Sequence, residues 1–207
     1  MKLIGMLDSP YVRRVAISFD LLGIPFEHES LSVFSNCKSF HALNPVIKAP
    51  TLVCDDGTVI MDSSLIIDYA EKVISGKSLM PTDKNIGYSI LGFALAACDK
   101  TVAIAYERKL RPEEKQHAPW LDRLCDQAVA AFKKIESAYE TRGEVESRAL
   151  TQENITVAAS WQFAQIMTPD VIIHDEYPNI VKLSKTLEEH ETFVKFPPLG
   201  PGILPSN

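Results

Sequence analysis

The hydrophobic period of this chain changes once, across the Gly- and Pro-containing stretch 76–84 (GKSLMPTDK), and that change limits the architecture more than any other feature. Before it, short apolar runs suited to strands alternate with helical spacing. After it, every apolar pattern has helical spacing. Such a chain is expected to fold as an α/β half followed by an all-helical half, with the stretch itself as linker. The boundaries follow as 1–78 and 85–207.

Within the first half, Lys2 to Leu7 is a compact apolar run suited to a buried strand. From Pro10, the residues Val12, Val15, Ala16, Phe19 and Leu22 have helical spacing, and Gly23 ends the pattern as a helix C′ residue does. Phe26 to Leu31 reads as a second strand, which completes a right-handed βαβ unit. Ser32 to Asn44 is polar and irregular, a short or distorted helix. Thr51–Cys54 and Thr58–Met61 flank Asp55-Asp56-Gly57, a hairpin signal. Asp62-Ser63 then precedes a helix carrying Leu65, Ile66, Tyr69 and Val73. The order β-α-β, irregular α, β-β, α is that of the thioredoxin fold.

In the second half, Leu91, Leu95, Cys98, Val102 and Tyr106 mark one face of a long helix. Pro112 suits the first turn of the next, followed by Glu113 and Glu114 and the stripe Leu121, Leu124, Ala128, Phe132 and Ile135. Further helices are expected near Thr156–Met167 and from Pro178 to about Glu189, with Trp120 and Trp161 as packing residues. The tail from Pro197 reads as extended or disordered.

Composition removes several functional classes. A net charge of −6 argues against nucleic acid or an anionic membrane as partner. No run reads as a bilayer span and no segment as a secretory signal. The four cysteines, Cys37, Cys54, Cys98 and Cys125, show no CxxC and no zinc spacing, so they read as free thiols and no metal is expected. The expected location is cytoplasmic.

Four motifs carry a resemblance. Ser9-Pro10-Tyr11-Val12, at the strand-to-helix turn, resembles the Cys-Pro-Tyr-Cys of glutaredoxins with both cysteines replaced. Serine cannot perform thiol–disulfide exchange at neutral pH, so the site is built for different chemistry. Asn44-Pro45-Val46-Ile47-Lys48-Ala49-Pro50-Thr51-Leu52 resembles the segment Asn-Pro-x-x-x-(Val/Ile)-Pro-x-Leu of cytosolic glutathione S-transferases, and Asp62-Ser63-Ser64-Leu65-Ile66 their (Asp/Glu)-Ser-x-x-Ile motif. Tyr177-Pro178-Asn179-Ile180 resembles the start of their last long helix. The opening motif is most similar to bacterial serine- or cysteine-type members.

That resemblance implies a thioredoxin-like glutathione-binding domain, a helical domain contributing the second-substrate pocket, and a homodimer. It implies glutathione as co-substrate and a small electrophile as the other partner. Ser9, which local sequence alone reads equally well as a helix cap, becomes the residue beside the thiol. Asp62 and Ser63 become the γ-glutamyl ligands, Ala49 pairs with the cysteinyl backbone, and Pro50 has the family's cis bond. Where some serine-type relatives use His for the glycine carboxylate, this chain has Ile47, so neighbouring Lys48 is the candidate. The family's helix cap Ser/Thr-x-x-Asp is matched to Thr156-Val157-Ala158-Ala159, which lacks the acid. Arg13 and Arg14 are left to solvent or to a domain-interface ion pair. Conjugation to electrophiles leads; glutathione-dependent reduction of disulfides or peroxides, and a non-catalytic glutathione-binding module, stay open.

Overall fold

In the computed structural model, which describes residues 1–81, 83–142 and 149–200, strand β1 (Lys2–Ile4) is central, with Leu3 and Ile4 fully buried. Strand β2 (Glu27–Glu29) runs parallel to it, placing His28 opposite Leu3. Strand β3 (Thr51–Val53) runs antiparallel on the other side, and β4 (Val59–Met61) pairs antiparallel with β3 at the edge. The order β2-β1-β3-β4 is the mixed sheet of a thioredoxin-like domain, as the sequence led one to expect. The β3–β4 turn works as its residues require. Gly57 takes φ 85° and donates to the Cys54 carbonyl, and Asp56 accepts from the Thr58 amide at 2.9 Å. That bond holds the Asp56 carboxyl below its ordinary range.

Helix α1 (Pro10–Leu22) makes the crossover from β1 to β2. It ends on Gly23 at φ 70°, with the Ile24 amide donating to the Phe19 carbonyl, a Schellman arrangement. Its Val12, Val15, Ala16 and Phe19 join Leu3, Leu52, Ile66 and Ile67 in the core. Helix α2 (Cys37–Leu43) follows β2. Helix α3 (Ser63–Tyr69) follows β4 and continues as a π-helical stretch, Ala70–Ser75.

Two compact units result: Met1–Leu79 with the described residues from Glu191 onward, and Met80–His190. Helix α8 (Glu191–Lys195), inside the stretch 85–207 that the sequence reads as the helical half, is grouped with the first unit. Asp20 of α1 accepts from Thr192 Oγ1 at 2.8 Å and pairs with Lys195 at 3.2 Å, while Arg13 donates to the Phe196 carbonyl at 2.7 Å. Most of the tail expected to be extended, 201–207, lies outside the described residues.

The second unit contains α4 (Lys84–Leu110), α5 (Ala118–Glu140), α6 (Gln152–Met167) and α7 (Pro178–Glu188). α4 packs on α5 and α6, and α7 on the same two. The buried face of α4 is Ile90, Ala94, Ala97, Cys98, Thr101, Ile104 and Ala105, not the Leu91/Leu95/Val102/Tyr106 stripe. Small side chains let neighbouring helices approach closely, so they and not the leucines define the seam. By length and composition α4 is also apolar enough to cross a bilayer, contrary to the sequence reading. That apolarity is what a helix packed by two others needs. α5 starts at Ala118; Pro112 instead precedes a single 3₁₀ turn, Glu113–Lys115. The α6 cap position is Thr151, and Thr156 lies inside the helix with its hydroxyl donating to the Gln152 carbonyl at 2.7 Å. Trp161 packs with Phe132 and Tyr177 as expected, but Trp120 is 44% exposed.

Buried Glu136 of α5 supplies the start of α7. Its carboxylate accepts from the Asn179 amide at 2.8 Å, the Asn179 side chain at 2.7 Å and the Ile180 amide at 3.0 Å. An anion at a helix start, accepting amides with no intrahelical partner, is favourable on both counts. Glu136→Gln should therefore lower stability by about 1.5–3 kcal/mol, read as a shift in the denaturant midpoint at constant slope. A variant as stable as the parent would refute this account of α7.

Candidate functional site

All six residues singled out from the sequence, Ser9, Lys48, Ala49, Pro50, Asp62 and Ser63, belong to the first unit. Ser9 is the N-cap of α1, with its Oγ accepting from the Val12 amide at 3.5 Å, a long bond for a cap. As acceptor, the hydroxyl keeps its own proton to donate elsewhere. Pro10 occupies the first helical turn, where a missing amide costs nothing.

The segment from Asn44 to Thr51 is held from beneath by two buried polar side chains. Asn44 donates to Thr51 Oγ1 at 2.8 Å and accepts from the Val46 amide at 3.0 Å, and Thr51 Oγ1 donates to the Lys48 carbonyl at 2.7 Å. Within this turn the Ala49–Pro50 peptide is cis, and Ile47 takes φ 52°, unusual for a β-branched residue. Gly5, at φ 138°, brings this turn against α1: a Cβ there would stand 2.6 Å from Val12 Cγ2 and 3.1 Å from Ala49 Cβ.

Helix α3 opens at Ser63, and its N-cap is Asp62, which corrects a reading of Ser63 itself as the cap. Asp62 takes φ 76°, and its Oδ1 accepts from the Ser64 amide at 2.9 Å and the Leu65 amide at 3.4 Å. Its other oxygen lies 3.6 Å from Lys48 Nζ, so those two candidates meet directly. Both side chains are about half exposed, which limits the pair to ~0.2–1 kcal/mol. Ser63 is 4% exposed and its Oγ accepts from Arg14 at 3.0 Å. Arg14 is the residue the sequence reading missed. It is 2% exposed, so it is not solvated, and it joins α1 to α3 through Ser63 and Ser64.

The site thus offers an exposed cation beside an exposed carboxylate, hydroxyls at Ser63 and Ser64, and a hydroxyl at the start of α1. A zwitterionic peptide suits such a set. Residues 3–78 match the family model described as glutathione S-transferase, N-terminal domain. A solved glutathione S-transferase from Methylobacterium radiotolerans, in complex with glutathione sulfonate, superposes with a TM-score of 0.88 at 24% identity, covering 100% of this chain and 98% of that one. The chain has the glutathione S-transferase fold. A glutathione transferase family member from Pseudomonas fluorescens Pf-5, with bound S-(propanoic acid)-glutathione, gives a TM-score of 0.78 at 25% identity, covering 97% and 100% of the two chains. Glutathione S-transferase U4 of Arabidopsis thaliana is 22% identical over 199 residues, 92% of this chain and 85% of that protein.

The close approach at Gly5 is testable. Gly5→Ala must displace fully buried Val12 or shift Ala49, since neither obstacle is a flexible side-chain end. A stability loss of about 1–3 kcal/mol is expected from overpacking, measured by thermal unfolding. An unchanged midpoint would mean the contact is loose.

Proposed function

We propose that this chain is a glutathione transferase that activates the glutathione thiol at Ser9 and adds it to small electrophiles. The observation that carries the proposal is the Lys48–Asp62 pair beside Ser63, on the same unit as a serine-capped α1. Glutathione bears two carboxylates, one ammonium and one thiol. Lys48 suits the glycine carboxylate, Asp62 the ammonium, Ser63 the γ-glutamyl carboxylate, and the Ala49 backbone the cysteinyl amide as an added strand would. Opening the Lys48–Asp62 pair costs little, because each partner regains an opposite charge.

Bound glutathione supplies the sulfur nucleophile. Ser9 donates its hydroxyl proton to the thiolate, and the amides at the start of a 13-residue helix favour negative charge there. A thiol pKa lowered by about two units is roughly 2.7 kcal/mol of thiolate stabilisation. Ser9 itself forms no covalent bond to substrate, which favours conjugation over disulfide exchange by the protein. We further propose a homodimer, as the family resemblance in the sequence implies, with light scattering as its check.

Calorimetric titration with glutathione, followed by turnover of a chlorodinitrobenzene-type electrophile, tests the whole reading. Binding without turnover would reduce the protein to a glutathione-binding module. Asp62→Ala should weaken binding tenfold or more, the worth of a charge-assisted contact of about 1.5–3 kcal/mol. Ser9→Ala should leave affinity nearly intact, raise the bound thiol pKa and slow conjugation at pH 7 by ~10- to 100-fold, with much of the loss recovered as pH rises. Superimposed thiolate absorbance titrations for the two proteins would leave Ser9 as a helix cap only.

A further inference from the structure

The start of α3 poses a question about which donors remain for a ligand carboxylate. Asp62 Oδ1 already takes the amides of Ser64 and Leu65. The side-chain donors left at this turn are the hydroxyls of Ser63 and Ser64, and both are tied to one atom. Arg14 Nη1 donates to Ser63 Oγ at 3.0 Å and to Ser64 Oγ at 3.2 Å. Arg14 is itself buried, and Ser18 Oγ donates to its carbonyl at 2.7 Å, so its stretch of α1 is fixed as well.

A hydroxyl has one proton and two lone pairs. Once a lone pair is filled by a guanidinium N–H, the hydroxyl's own proton must turn toward another acceptor. Arginine makes this permanent, since it is never deprotonated and its donors are fixed in a plane. Two hydroxyls that accept from one nitrogen both have their own protons free to turn toward a shared acceptor, such as a single carboxylate. Ser63 lies at the buried side of this pair and Ser64 at the exposed side, so the pair opens to solvent.

We infer that Arg14 is a positioning residue that sets Ser63 and Ser64 as paired hydroxyl donors to the γ-glutamyl α-carboxylate. The inference rests on the glutathione reading above. It adds Ser64 to the binding set and gives Arg14 a role beyond joining α1 to α3.

The test compares two peptides by calorimetry: glutathione, and γ-aminobutyryl-cysteinylglycine, which lacks only that carboxylate. Arg14→Met keeps the apolar stem and removes the donors. It should weaken glutathione binding at least tenfold and the decarboxylated peptide less than twofold. In a Ser63→Ala/Ser64→Ala background the same substitution should cost glutathione less than twofold, because Arg14 acts through those hydroxyls. Should Arg14→Met fail to fold, Ser64→Ala carries the test with Arg14 in place. It should weaken glutathione binding three- to tenfold and leave the decarboxylated peptide unchanged. Equal losses for both peptides, an undiminished cost in the serine-free background, or a silent Ser64→Ala would overturn the inference and leave Arg14 a packing residue. A wild-type protein that binds neither peptide would overturn the glutathione reading itself. One that binds glutathione tightly and is indifferent to Arg14→Met would overturn only the role of Arg14.

Discussion

Two adjacent guanidinium groups are buried on helix α1, Arg13 at 1% and Arg14 at 2% exposure, and the first unit is arranged around satisfying them. A buried charge without partners costs several kcal/mol, so each must be met by hydrogen bonds. The two neighbours point to different partners. Arg13 donates to the Phe196 carbonyl and lies over the Phe193 ring at 5.5 Å. Arg14 donates to Ser63 and Ser64 of α3. One dipeptide therefore fixes both the return of the chain's last described helix and the placement of the candidate anion ligand. The sheet side of α1 is committed to Val12, Val15, Ala16 and Phe19, which leaves the helix little freedom to rotate or slide.

Against that rigid element, backbone strain is concentrated at the candidate site. Among the described residues, the non-glycine positions with positive φ are Ile47 at 52° and Asp62 at 76°. One immediately precedes Lys48 and the other is Asp62, the two members of the ion pair. Each such conformation costs on the order of 1–3 kcal/mol and persists where surroundings over-determine it. Here the Ile47 amide donates to the Asn44 carbonyl at 2.9 Å, and Asp62 caps the helix that follows it. Where strain is held by specific polar contacts, the geometry itself is what the fold conserves, and it presents Lys48 and Asp62 to solvent side by side.

Much of this architecture was legible because it rests on period and turn chemistry. The α1 stripe ending at Gly23, the Asp55-Asp56-Gly57 turn and the helix after Asp62 all follow from local rules that tertiary packing did not override. What escaped depends on contacts distant in sequence. Arg13 and Arg14 were left to solvent or to a domain-interface ion pair because charged residues are usually exposed, yet α1 is buried at every residue from Val12 through Phe19. No local signal says that residues after Glu191 pack on residues before Asp20. The face of α4 was misjudged because that helix is apolar all round, so leucines cannot choose among faces and small residues do. Thr156 was taken for a cap because a Ser/Thr pattern names a residue type; the cap lies one turn and a residue earlier, at Thr151.

The placement of Ser9 and Arg14 on one helix has a consequence for how a peptide ligand would be measured. Ser9 caps α1 and Arg14 follows five residues later, about 7.5 Å along the axis at helical rise. On the glutathione reading, the sulfur is registered at one point of that rod and the γ-glutamyl carboxylate, through Ser63 and Ser64, at another. A rigid helix transmits errors in neither direction, so the two ends of the ligand are located against a common ruler and not against two independent loops. The Ala49–Pro50 turn then needs to supply only the middle contact, and Gly5 sets its approach to α1. Recognition of this kind selects for the length of the γ-linked residue as well as its charge. A ligand with an α-linked glutamate would carry the same charges and place its carboxylate at the wrong distance from Ser9.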